Sequence, residues 1–86
     1  KLLLLDEFSI AVDPVTTMRI EDVLKELKEE ITIILVTNLV QQARRLADRT
    51  AFFLSGELIE IGKTEDLFNG KTEDQRTLDY LEGRFG

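Results

Sequence analysis

Two uninterrupted apolar runs frame one amphipathic segment, and this spacing constrains the fold more than any other feature. Leu2–Leu5 is the first run, and "ITIILVT" (Ile31–Thr37) holds the second. Neither run alternates, so Leu2–Leu5 taken alone fits a buried strand or a turn of buried helix. The residues after it decide for a strand. Asp13-Pro14 is a helix start, with Asp placed to cap and Pro at the first helical position, where its missing N–H costs nothing. Beyond it, Ile20, Val23, Leu24 and Leu27 fall on one helical face, while Lys25, Glu26, Lys28 and Glu29 mostly occupy the other. This helix is expected to end near Glu29-Glu30. Ile31–Thr37 is β-branched and apolar on both faces, as a central parallel strand is. A strand-helix-strand unit of this length implies a right-handed parallel crossover.

Leu39, Val40, Ala43, Leu46 and Ala47 then repeat at helical spacing, with an end near Asp48-Arg49. Asn38 is placed to cap this helix. "TAFFLSGELIEIG" reads as two short strands about a Ser55-Gly56 turn. Thr64 or Glu65 opens a short helix through Phe68, stopped by Asn69-Gly70. Thr72 is placed to cap a last amphipathic helix carrying Leu78 and Leu81. The fold class is α/β, in the order strand, helix, strand, helix, hairpin, helix, helix. No repeat, low-complexity tract or linker marks a boundary, so residues 1–86 are expected to belong to a single domain. Two central strands are few for a parallel sheet covered on both faces, so the segment is expected to complete a larger sheet with strands before Lys1.

Composition narrows the chemistry. With 86 residues, 43% hydrophobic and 33% charged, the chain is globular in character and at most one small domain. No apolar run approaches the roughly 20 residues of a membrane-spanning helix, and no secretory signal is present. There is no cysteine and no histidine, which excludes disulfides, thiolate metal sites, His-ligated zinc and every triad built on imidazole. Seventeen acidic against eleven basic residues, a net charge of −6, argue against nonspecific nucleic-acid binding, which needs Lys and Arg on phosphates. The one basic pair, Arg44-Arg45, fits a solvated helix face.

The chemistry-bearing residues come directly after the first apolar run. Ligands in open α/β sheets bind outside the carboxyl ends of strands, where Asp6 and Glu7 fall. Strand alternation would aim them differently, so they can do different work. Asp6 suits Mg²⁺, a hard cation that takes one or two carboxylates plus phosphate oxygens. Glu7 suits a group that orients or deprotonates a water attacking a phosphoryl group. On the dipeptide alone, two acids at the exposed end of a strand fit equally well.

The surroundings add a resemblance. "LLLLDEFSIAVDP" resembles the Walker B segment and D-loop of ABC-type ATPases, an apolar run followed by D-E-P-T-S-A-L-D-P. Asp6, Glu7, Ala11, Asp13 and Pro14 match, and Ser9 and Val12 are near matches. "IILVT" has the form of the strand leading to that family's H-loop. "AFFLSGELIEIGKTEDLF" resembles its late hairpin and the helix after it. "RTLDYLEGRFG" is similar to the C-terminus of ATP-binding subunits of phosphate importers. The resemblance covers essentially the whole chain.

It implies the C-terminal portion of a single ABC ATPase domain, part of a P-loop NTPase-type parallel sheet that is incomplete without an N-terminal half. Asp6 would position Mg²⁺, through water, and Glu7 would be the catalytic glutamate beside the attacking water. Asp13 would reach across a dimer interface and couple two nucleotide sites. ATP and Mg²⁺ would be cofactors in a complete domain. Partners would be the N-terminal half, a second ATPase subunit and a transmembrane permease, with no nucleic acid. The location would be peripheral, on the cytoplasmic face of the inner membrane.

Phe8, Ile10 and Asn38 depart from the pattern. Phe8 replaces a proline that would fix φ, and restores an N–H. Ile10 replaces a serine, removing a hydroxyl from a turn. Phe8 and Ile10 equally fit a local apolar cluster. Asn38 stands at the H-loop position, where the family has a histidine that contacts the γ-phosphate. Asn can donate through its amide but is shorter and cannot become cationic. Losing a well-placed transition-state donor costs on the order of 10²–10³ in rate in other enzymes. Hydrolysis at a site using Asn38 is therefore expected to be weak while nucleotide binding survives. The chain has no glycine-rich phosphate loop, no L-S-G-G-Q signature and no Q-loop candidate; Lys63 in "SGELIEIGK" lacks the loop glycines. Alone it is expected to bind ATP poorly and to hydrolyse it negligibly. Two other readings stand beside the importer ATPase: a nucleotide-binding or regulatory module that has lost catalysis, and a structural fragment needing an N-terminal partner.

Overall fold

A computed structural model describes residues 1–9 and 11–82. The departure at Ile10 and the end of the tail motif, from Gly83 on, lie outside the described residues. The order is β1 (Leu2–Asp6), α1 (Pro14–Leu27), β2 (Thr32–Val36), α2 (Val40–Leu46), β3 (Arg49–Leu54), β4 (Glu57–Lys63), α3 (Thr64–Phe68) and α4 (Gln75–Leu81). This is the α/β order expected from the sequence. The chain forms two compact units, Lys1–Gln42 and Ala43–Gly86, with the division falling inside α2.

In the first unit β1 and β2 pair in parallel, in a register running from Leu2 opposite Thr32 to Asp6 opposite Val36. Leu3, Leu5, Ile33 and Leu35 share a half-buried face. The other face is open: Leu2, Leu4, Ile34 and Val36 are 63%, 66%, 48% and 51% exposed. The burial on both faces expected of these strands is therefore absent among the described residues, because a sheet face is buried by a layer packed over it and none covers this one. Asp13 caps α1 with an extended backbone, accepting the Thr16 N–H at 2.9 Å, and Pro14 opens the helix. The helix ends at Leu27, earlier than expected, and Lys28–Glu30 continue as turns whose amides still reach Leu24, Glu26 and Leu27 carbonyls. Leu24 is buried, with Ile20 and Leu27 half-buried, but Val23 is 53% exposed. The buried stripe is rotated toward Glu21, which is only 3% exposed, and Val23 lies about 100° round the helix from Leu24. Helix α2 begins at Val40, one residue later than an Asn38 cap predicts, and Thr37 Oγ1 accepts the Leu39 N–H at 3.0 Å.

The second unit is built on the β3–β4 hairpin, antiparallel with a bulge at Phe52/Phe53. Ser55 and Gly56 have φ of 51° and 80°, positive at both central positions as a two-residue type I′ turn requires. Buried Phe52 meets the Tyr80 ring at 4.8 Å between centroids. Helix α3 packs on the hairpin through buried Leu67, and a Cβ at Gly62 would lie 3.6 Å from Leu67 Cδ2. The Thr50 and Thr64 hydroxyls pair at 2.7 Å, and the Arg44 guanidinium lies 5.6 Å from the Phe68 ring centroid. Gly70, at φ 84°, follows α3 as the sequence predicts. The cap of α4 is Asp74, not Thr72. Glu60 on β4 accepts the Glu73 and Asp74 amides at 2.8 and 3.4 Å, which holds this segment extended and delays the helix until Asp74 can accept the Arg76 N–H.

Candidate functional site

Parallel pairing places the carboxyl ends of β1 and β2 at one edge. Asp6 ends β1 opposite Val36, Glu7 follows, and Asn38 lies two residues beyond the end of β2. The structure thus brings Asp6, Glu7 and Asn38 to a single sheet edge, although 32 residues separate Asp6 from Asn38 in the chain. Glu7 leaves the strand with φ of 48°, in the left-handed region that costs a non-glycine residue about 1–3 kcal/mol. Its N–H donates to the Val36 carbonyl at 2.7 Å, the bond that holds this turn against the end of β2. Such a backbone breaks the strand alternation immediately after Asp6 and directs Glu7 by the turn. Asp6 is exposed and Glu7 half-buried.

Asp13 belongs to the end of α1. Both of its carboxylate oxygens are engaged by Thr16, one by the backbone N–H and one by the hydroxyl, each at 2.9 Å. The Thr16 amide first, and then the hydroxyl, hold the Asp13 carboxyl below the usual carboxylate range. Asp13 is therefore a helix cap in this chain, and any contact across an interface has to compete with Thr16.

A polar cluster that sequence reasoning missed stands behind the turn. Gln42 of α2 is 1% exposed and Glu21 of α1 is 3% exposed. Gln42 Nε2 donates to Ser9 Oγ at 3.2 Å and to Glu21 Oε2 at 3.3 Å. Gln42 Oε1 is buried with no hydrogen-bond partner, a burden of about 1–3 kcal/mol. The available signal was positional: Gln42 falls among Leu39, Ala43 and Leu46 on the apolar spacing of its helix, and Glu21 adjoins Leu24 on the buried stripe of α1.

Asp6 offers one exposed carboxylate, which suits a Mg²⁺ that takes its remaining ligands from water and phosphate. Among the described residues, no group of three or more carboxylates converges to hold a metal without such help. No helix among them is long and apolar enough to cross a membrane.

No protein-family model matches the chain. Individual curated proteins do. Phosphate import ATP-binding protein PstB 3 from two strains of Streptococcus pneumoniae is 53% identical over 85 residues, covering 99% of this chain and 34% of the relative. Phosphate import ATP-binding protein PstB of Oceanobacillus iheyensis is 51% identical over 85 residues, covering 99% of this chain and 30% of its own length. The chain spans about a third of the length of the curated relatives it matches. With such identity along essentially all of its residues, the chain belongs to the family of ABC-transporter ATP-binding subunits, is similar to their phosphate-import members, and corresponds to the C-terminal third of those proteins.

Proposed function

We propose that this chain is the C-terminal part of a single ABC ATPase domain whose complete form hydrolyses ATP to power an importer, with inorganic phosphate as cargo. The observation that carries the reading is the shared carboxyl edge of β1 and β2, which collects Asp6, Glu7 and Asn38 from distant parts of the sequence. The names of the relatives support the cargo.

In this reading the two-stranded parallel pair is one part of a larger P-loop NTPase-type sheet, and the open face of Leu2, Leu4, Ile34 and Val36 is covered in the complete domain. Asp6 would hold Mg²⁺, through water, and the metal would supply charge neutralisation on the phosphate oxygens. Glu7 accepts a hydrogen bond from the attacking water and takes its proton as attack proceeds. Asn38 donates its amide N–H toward the γ-phosphate, without the positive charge that histidine could bring. Asp13 couples the site to a second ATPase subunit. The permease is a separate membrane-embedded partner, and the ATPase lies peripherally on the cytoplasmic face of the inner membrane.

The departure at Asn38 supports a second reading, a nucleotide-binding module with little or no hydrolysis. Steady-state ATPase of the complete protein separates the two. Measurable turnover that falls at least about 10²-fold in Glu7→Gln, with MgATP still bound, supports the enzyme. Tight MgATP binding with no turnover in the unaltered protein supports the module.

A further inference from the structure

We propose that Gln42 is a positioning residue that fixes the turn carrying Glu7 to the helix that follows Asn38, through its hydrogen bond to Ser9. The inference deepens the ATPase reading and, for its catalytic consequence, rests on it.

The Gln42 amide can lie only one way round. Gln42 is 1% exposed, and both of its placed hydrogen bonds come from Nε2, at 3.2 Å to Ser9 Oγ and 3.3 Å to Glu21 Oε2. A carboxylate can only accept, so the NH₂ end of the amide must face Glu21. The second N–H then falls to the Ser9 hydroxyl. Turning the amide over would set Oε1 against the Glu21 carboxylate and lose that bond, while the Ser9 hydroxyl could donate in either case; the Glu21 contact therefore fixes which way round the amide lies. The side chain is held in one orientation by Glu21 and tied to a second segment through Ser9.

Ser9 is the middle of the connection between β1 and α1. Its carbonyl accepts the Val12 N–H at 3.2 Å, closing a turn, while its hydroxyl reaches Gln42. On the near side, the Glu7 N–H is bound to Val36 O at 2.7 Å. The turn is thus pinned at Glu7 to the end of β2 and at Ser9 to α2. Helix α2 begins at Val40, two residues past Asn38. One buried side chain therefore links the segment that presents Glu7 to the segment that presents Asn38. Two groups acting on one water and one phosphoryl group need that alignment, because small misplacements cost rate steeply. A hydroxyl at position 9 is all the clamp requires of the turn, so threonine should serve as well as serine.

The test compares Ser9→Ala, Gln42→Leu, their double variant and Ser9→Thr in the intact protein. Amide exchange followed by NMR is expected to speed up about fivefold at Glu7 and Val12 in Ser9→Ala, the scale of one neutral hydrogen bond, while β3 and β4 are unchanged. Gln42→Leu should do the same, the double variant should add nothing beyond Gln42→Leu, and Ser9→Thr should restore the unaltered rates. Steady-state ATPase of Ser9→Ala should show a lowered kcat with KM for MgATP unchanged. If Gln42→Leu does not fold, Ser9→Ala against Ser9→Thr decides alone. Unchanged exchange at Glu7 and Val12, fully additive effects, or an unchanged kcat in a protein that does hydrolyse ATP overturns the proposal. An unaltered protein that hydrolyses no ATP, with the exchange pattern intact, overturns the ATPase reading and leaves the clamp standing.

Discussion

Asn38 and Asp13 show how far single residues carry chemistry here. Asn38 sits at the sheet edge with Asp6 and Glu7, so in the proposed ATPase its identity would bear on turnover. In the complete protein, Asn38→His is expected to raise steady-state ATPase at least about tenfold, since a stronger donor would return to the γ-phosphate. No increase would mean that Asn38 does not limit hydrolysis. Asp13 behaves as a cap with a carboxyl lowered by the Thr16 amide and hydroxyl. A carboxyl lowered in the folded state contributes stability above its unfolded value and loses it as pH falls through its folded value. Asp13→Asn keeps an N-cap acceptor but cannot titrate. Thermal melts of the two proteins should therefore diverge at neutral pH and converge as the acid limb is crossed. Melts separated by the same interval at every pH would show that Asp13 does not titrate with folding. Asp74 obeys the same rule, held low by the Arg76 guanidinium first and the Arg76 amide second.

At the scale of elements, local chemistry explains most of the starts and stops. Asp13-Pro14 opens α1, Gly70 follows α3, and Ser55-Gly56 turns the hairpin, all as the residue types require. The type I′ turn is open to improvement because Ser55, at φ 51°, occupies a conformation that asparagine tolerates better. Ser55→Asn is expected to stabilise the protein by about 0.5 kcal/mol, and Gly56→Ala to destabilise it by about 1 kcal/mol. Urea midpoints measure both, and equal midpoints would rule out the turn as a stability determinant. Where the sequence misleads, a partner from elsewhere in the chain intervenes. The Glu60 carboxylate moves the start of α4 from Thr72 to Asp74, and Glu21, bonded to Gln42, occupies the buried face of α1 while Val23 is exposed.

For the molecule as a whole, exposed apolar surface sets the behaviour. Leu2, Leu4, Ile34 and Val36 share an uncovered sheet face, and the parallel pair has unpaired outer edges. The 86-residue chain studied by itself is expected to be marginally stable and to self-associate. Replacing Leu4 and Ile34 with lysine should shift its sedimentation toward monomer; a wild-type chain that melts sharply and reversibly as a monomer would refute this. Isothermal titration of the same chain with MgATP should give no micromolar binding, because the sequence holds no glycine-rich loop whose amides could cradle phosphates.

The sequence by itself determined the element order, the type of each element, the principal turns and the identity of the acids, since these follow from apolar runs, caps and turn residues that act over a few positions. Asp6, Glu7 and Asp13 were legible because strand ends and helix starts have local signatures. Tertiary structure alone decided the rest. Parallel pairing brought Asn38 to the edge that holds Asp6 and Glu7, Thr16 claimed both oxygens of Asp13, and Gln42 bound Ser9 and Glu21 in a buried cluster. The physical reason is range: a cap or turn is satisfied within a few residues, whereas a buried amide needs acceptors that only folding brings within 3.3 Å, across 33 and 21 positions of chain.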